Sequence, residues 1–115
     1  MKMDYNKTYN KILTDEEFME IKQHGSSAYP FQYYYDNLEL FDFHCIEWHW
    51  HREFEFLYVE SGQVTCGIGE KKIILSEGEA IFINSKILHQ FYASSDGVIP
   101  NFVCMPEFIA PENSL

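Results

Sequence analysis

Positive charge is scarce in this chain of 115 residues, with 8 Lys and Arg against 18 Asp and Glu and a formal net charge of −10. A domain this acidic repels phosphate backbones and offers no basic stripe, so direct binding of nucleic acid by these residues is not expected. Cysteine is sparse too. Cys45, Cys66 and Cys104 are an odd count with no CxxC pair, which reads as reduced, buried thiols in a cytoplasmic protein rather than a disulfide framework. No apolar run approaches the roughly 18 residues that a membrane span needs. Met1-Lys2-Met3-Asp4-Tyr5 opens no signal-peptide pattern, and the chain is read as soluble. No Ser or Cys sits in a nucleophile elbow, so no catalytic residue is assigned. Neither a βαβ unit nor an internal repeat is present.

What the chain does have is aromatic side chains. It carries 10 Phe, 8 Tyr and 2 Trp in a sequence that is 46% hydrophobic, enough for a sizeable core in one domain without disulfides. Residues 1–11 are polar and read as a loose arm. Residues 13–25 carry helix signals: Thr14 as N-cap with Glu17 three residues on, Leu13 and Phe18 as a hydrophobic staple, and Gly25 as a stop. From residue 31 the periodicity becomes that of strands. The expected strands are 31–35, 38–50, 54–60, 63–68, 72–75, 79–83, 87–93 and 98–105, with Pro100 marking an edge or a strand start. Short strands with a turn every few residues predict an all-β antiparallel sandwich or barrel.

The most informative stretch is His49-Trp50-His51-Arg52-Glu53-Phe54-Glu55. On a strand, residues two apart share a face, so His49 and His51 aim at one point, on the same face as Cys45 and Glu47. Two neutral imidazoles and a carboxylate suit a divalent first-row metal, and His89 is a fourth candidate ligand. The aromatic residues of opposite parity, Trp48, Trp50, Phe54, Phe56 and Tyr58, are expected to pack between sheets or under the N-terminal helix; the sharper alternative is a dimer surface.

The spacing His49-x-His51-x3-Glu55-x6-Gly62 resembles the first motif of the cupins, H-x-H-x3-E-x6-G. Gly78-x5-Asn84-Ser85-Lys86-x2-His89 resembles part of the second, with Asn84 and Lys86 where the family has Pro and Gly, and Ala93 where it has Asn. More narrowly, HWHREFEFLYVESG, INSKILHQF and NFVCMPEF resemble the N-terminal sensing domain of AraC-type transcription regulators, over residues 29–108. The resemblance implies a double-stranded β-helix, the cupin jelly roll, at 29–108, preceded by an arm and short helix (1–28) and followed by a tail (109–115). It implies a pocket in the barrel lined by His49, His51, Glu55 and His89, with a hydroxyl from among Tyr33, Tyr34 and Tyr35, Tyr33 in particular. The occupant is either a divalent ion (Zn, Ni, Fe or Mn) held by the three His and Glu55, or an organic effector hydrogen-bonded to the same side chains. The expected role is effector sensing and homodimerisation, with DNA read only by a C-terminal helix-turn-helix domain outside these residues. The rival is a small metal-dependent cupin enzyme, a dioxygenase, isomerase or sugar-modifying protein, that uses the same four residues.

Overall fold

Alternation of inward and outward side chains sets the strands. The computed structural model describes residues 12–21, 24–25, 31–94 and 96–109. Its eight strands are β1 (Phe31–Asn37), β2 (Cys45–His49), β3 (Phe54–Tyr58), β4 (Ser61–Ile68), β5 (Lys71–Ser76), β6 (Ala80–Ile83), β7 (His89–Tyr92) and β8 (Gly97–Cys104), and one helical turn, α1 (Pro106–Ile109), follows. In β8 the odd-numbered residues Gly97, Ile99, Asn101 and Val103 are buried, while Val98, Pro100 and Phe102 are only half-buried, the period of two of a sheet with one face on a core.

The strands form two antiparallel sheets, β1-β8-β3-β6 and β2-β7-β4-β5. They join where Ser61 and Gly62 of β4 pair with Val98 and Gly97 of β8. This is the all-β jelly-roll architecture expected. The core lies between the sheets: Leu57, Val59, Val64, Cys66, Phe91 and Ile99 are each no more than 1% exposed. Burial of one such aliphatic or aromatic side chain stabilises the fold by about 1.5–3 kcal/mol. Gly62 turns the chain with φ +86°, and a Cβ there would stand 2.3 Å from the Asp96 carbonyl oxygen. The motif's glycine is therefore required by the junction between the sheets.

Several expectations are corrected. Residues 13–21 form no helix. Thr14 bridges antiparallel to Glu20, and Met19 bridges parallel to Trp50. The Asp15 carboxylate accepts from the backbone N–H groups of Glu17 and Met19 at 2.8 and 3.0 Å, and Phe18 takes a positive φ of 70°. An isolated helix this short is marginal, whereas the barrel supplies lasting partners. Glu20 N–H donates to the Trp50 carbonyl at 2.9 Å, Trp50 N–H to that of Phe18 at 3.0 Å, and the Trp50 indole N–H to that of Glu17 at 2.9 Å. The expected arm (1–11) and the expected tail beyond residue 109 lie outside the described residues.

The long strand expected at 38–50 is broken. Leu38–Leu40 and Asp42–His44 are 3-10 turns, with Phe43 and His44 at φ 60° and 53°, so only Cys45–His49 is extended. Pro100 marks neither an edge nor a strand start. It lies inside β8 opposite Tyr35, in the interruption between the Leu57↔Asn101 and Ser61↔Val98 pairings, where no ladder N–H is needed. The aromatic set also divides. Trp50 lies against the N-terminal segment and Trp48 packs on Gly67, but Phe56 and Tyr58 are 43% and 46% exposed. Strand register aligns Tyr33, Phe102, Phe56 and Phe82 in one row across β1, β8, β3 and β6. That row lies on the outer face, not between the sheets.

Candidate metal centre and ligand pocket

His49, His51, Glu55 and His89 are each buried and offer ligand atoms that all lie within 4.8 Å of one another. The expected set does converge, by a route different from simple alternation. His49 ends β2 and pairs directly with His89 at the start of β7, so their ring centres lie 4.2 Å apart with the planes tilted by 56°. The register slips between Ile46 and His49. This irregularity moves His49 onto the inward face that Ile46 already occupies, and sends Glu47 out to solvent. Cys45 is only half-buried, with Gln90 Nε2 3.7 Å from its sulfur, and is not part of the cluster. His51 lies beyond β2 in the link to β3. The loop at 84–86 holds that link: Lys86 N–H donates to the His51 carbonyl at 2.8 Å, and the Ser85 hydroxyl to that of Arg52 at 2.7 Å. Lys86 adopts φ 66°, the left-handed backbone that the glycine of the second motif would take without strain. Glu55 points inward from β3.

Each imidazole is oriented by its own backbone. Nδ1 of His49 lies 2.8 Å from the Glu47 carbonyl, that of His51 3.1 Å from the Glu53 carbonyl, and that of His89 2.7 Å from the Ile87 carbonyl. A carbonyl only accepts, so each Nδ1 carries a proton and each ring turns its Nε2 toward the cluster. Glu55 Oε1 is 3.1 Å from His51 Nε2 and 3.3 Å from His89 Nε2. The second contact makes no hydrogen bond, and His89 Nε2 is buried without a partner. Ring nitrogens facing a carboxylate at this range need a positive charge among them, a proton or a metal ion.

The titration behaviour follows. Burial works against charge on His51, but the hydrogen bond to Glu55 and that carboxylate's field outweigh it and raise its pKa. Burial would raise Glu55, yet the hydrogen bond from His51 and the fields of His89 and His51 hold it far below the carboxylate range. His49 drops to about 4, through burial first and the neighbouring His89 second. Without metal, a proton on His51 is thus the cluster's positive charge. A divalent ion fits the same place better, since three oriented Nε2 atoms and a carboxylate are its ordinary donor set, and backbone partners on Nδ1 are the usual support of such ligands.

The cluster forms one wall of a cavity of about 470 Å³, within the usual size range of small-molecule sites. Phe41, Ile46, Phe91 and Val103 supply apolar lining, and Ile12, Leu13 and Ile21 close over it from the N-terminal segment. Tyr33 is not in it: its side chain is 54% exposed on the outer face. Tyr34 lines the cavity instead, because neighbours on a strand face opposite ways. Its hydroxyl is 2.6 Å from His24 Nδ1, whose Nε2 is 2.8 Å from the Glu20 carboxylate. Sequence reading missed Glu20, His24, Tyr34 as the tyrosine that faces the cavity, Asp36 and Asn101. The one signal available was Asn101, a polar residue at an inward position of an otherwise apolar strand.

The sequence profile of the cupin domain matches residues 45–103, just over half of the chain. The chain belongs to the cupin family. This cupin is 29% identical over 101 residues to YdeC of Bacillus subtilis (strain 168), an uncharacterized HTH-type transcriptional regulator, and the match covers 85% of the chain and 34% of the regulator. It therefore spans about a third of that relative's length. Among solved structures, an RmlC-like cupin from Shewanella frigidimarina NCIMB 400 superposes with a TM-score of 0.59 at 17% identity, over 66% of this chain and 67% of that one. A cupin-2 domain containing protein from the same organism superposes with a TM-score of 0.55 at 20% identity, over 71% and 82%. At these identities the likeness is one of fold. No helix among the described residues is long and apolar enough to cross a membrane.

Proposed function

We propose that this cupin is the effector-sensing domain of an AraC-type transcription regulator, and that a small molecule sits in its barrel against a divalent ion held by His49, His51, Glu55 and His89. One observation carries the metal part: three buried imidazoles, each fixed through Nδ1 by a backbone carbonyl, turn Nε2 toward one carboxylate. The regulator part is supported by the similarity to an HTH-type regulator across 85% of the chain, with DNA bound by a different domain. Four protein donors leave coordination positions open for an effector. The ion would supply charge and a fixed point of attachment. The chain's own residues set the rest: the backbone carbonyls keep the imidazoles neutral and aimed, and the apolar walls exclude water.

Isothermal titration of chelator-treated protein with Mn, Fe, Ni and Zn salts tests this directly. One ion per chain, lost in His49→Ala/His89→Ala with the fold intact by circular dichroism, is expected. Unchanged binding in that double variant would sink the assignment.

Self-association is part of the proposal. The row Tyr33, Phe102, Phe56 and Phe82 carries no charge, so in a chain of net charge −10 two copies can meet along it without setting acid against acid. A second copy is the occupant that this face suits.

The enzyme reading draws on the same four donors, since a bound divalent ion also supplies Lewis-acid chemistry. Turnover of a substrate by the metal-loaded domain would favour it.

A further inference from the structure

Three of the four candidate ligands stand on sheet ladders. His49 closes β2 opposite His89 at the start of β7, and Glu55 lies in β3 between β6 and β8. His51 belongs to no strand. Its placement depends on what grips the link from β2 to β3. On one side that is the loop at 84–86, which bonds the His51 and Arg52 carbonyls. On the other side it is the N-terminal segment, and the grip falls on Trp50, the residue between the two imidazoles. Trp50 N–H donates to the Phe18 carbonyl, the Trp50 carbonyl accepts from Glu20 N–H, and the indole N–H donates to the Glu17 carbonyl. Both backbone polar groups of Trp50 and its side-chain donor thus go to one short stretch of chain. Farther along, the His24 ring stands edge-on to that of His51, with centres 5.6 Å apart.

Peptide units are planar, so a displacement of Trp50 carries the Cα atoms of His49 and His51 with it. Metal ligation tolerates little of that, since donor distances hold to within about 0.2 Å. The segment itself is held lightly. Leu13, Phe18 and Ile21 are exposed, so apolar burial does little to keep it in place, and Phe18 adopts φ 70°, a backbone that costs free energy for an L-residue. Segments with few buried apolar contacts open well below the free energy of global unfolding. The turn that shapes this one is closed by Asp15, an exposed residue outside the cavity lining, whose carboxylate accepts from Glu17 and Met19 N–H.

We infer that residues 13–21 are the positioning clamp of the metal centre and that they act through Trp50. Docking of the segment sets His49 and His51 for the ion, and a bound ion holds the segment docked. By linkage the two effects are equal in size. This inference rests on the metal centre of the proposed function.

Calorimetric titration of the chelator-treated whole chain with zinc tests it; nitrogen and oxygen donors hold zinc more tightly than manganese or iron. Asp15→Ala opens the turn without touching the cluster, and zinc affinity is expected to fall about three- to tenfold, the worth of an ordinary hydrogen bond or two. Asp15→Asn removes the same charge but keeps an acceptor oxygen, and should bind zinc within about twofold of wild type. Trp50→Phe, which lacks the indole donor, should weaken zinc by about as much as Asp15→Ala. In the wild type, saturating zinc should slow hydrogen exchange at the Ile21 and Trp50 amides under native conditions by a similar factor. Unchanged zinc affinity in both Asp15→Ala and Trp50→Phe overturns the clamp and leaves the metal centre standing. So does an equal loss in Asp15→Ala and Asp15→Asn, which would be an effect of charge alone. A wild type that binds no zinc refutes the metal centre and the clamp with it.

Discussion

Replacing Glu55 by Gln keeps the side chain's shape and deletes its charge. Glu55 is 4% exposed, and its Oε1 atom lies within 3.1 and 3.3 Å of two imidazole nitrogens, so the change falls on the proposed metal centre and little else. A ligand that binds only the folded chain, present at a hundred times its Kd, adds about 2.7 kcal/mol. For a domain of roughly 100 residues, in which 1 kcal/mol moves Tm by about 4–8 °C, that is a rise of about 11–22 °C. Loss of a residue that only supports a metal ligand weakens binding about ten- to a hundredfold, so loss of a charged ligand is set at the upper end. The same ion concentration then merely equals the variant's Kd. The gain shrinks to about 0.4 kcal/mol, or about 2–3 °C. The assay is thermal unfolding of chelator-treated wild type and Glu55→Gln, with and without each of the four ions. An equal rise in both proteins would show that Glu55 is no ligand, and no rise in the wild type with any ion would refute the metal centre.

Three further outcomes are expected. His49 has a pKa of about 4 in the folded, metal-free chain, against 6.5 for the free side chain. The unfolded chain therefore binds the extra proton first, and stability falls as pH drops from about 6.5 to about 4, by up to about 3 kcal/mol from this group. The raised pKa of His51 acts in the opposite direction, and the depressed pKa of Glu55 adds a loss in stronger acid. Urea melts across that range should be flatter for His49→Gln, and an identical slope would contradict the assignment. A Cβ on Gly67 would stand 2.6 Å from Cη2 of Trp48, so Gly67→Ala should cost about 1–3 kcal/mol and Trp48→Phe should recover part of it; an unchanged urea midpoint would mean that the indole moves aside freely. Phe56→Glu puts a charge in the middle of the outer aromatic row, and sedimentation at micromolar concentration should shift from dimer to monomer. A monomeric wild type would dispose of the dimer proposal.

Local chemistry made much of this protein readable from its residues. The strands appear close to where alternation and turn residues place them, because a half-buried sheet imposes a period of two. The four metal-binding candidates could be picked out because few residue types make good ligands and their spacing matches a known motif. The helix at 13–25 failed for a complementary reason. Its capping signals are worth little in a short segment, and backbone bonds to Trp50 outcompete them. Tyr33 was chosen over Tyr34 because strand phase cannot be read when three tyrosines are consecutive. Glu20 and His24 stayed hidden because their role depends on where the N-terminal segment folds back.

The sequence by itself determined the all-β class, the inward and outward alternation of strands such as β8, and the four candidate metal ligands. These depend on neighbours along the chain. Only the tertiary structure decided which face of the β2–β7 pair carries His49, since a register slip between Ile46 and His49 reverses the parity that the sequence implies. It also decided what surrounds the candidate metal centre. Tyr34, Asp36 and Asn101 meet Glu20 and His24 in one cavity because sheet pairing and a backbone bridge at Trp50 bring distant segments together, and no local pattern encodes a contact between residues so far apart.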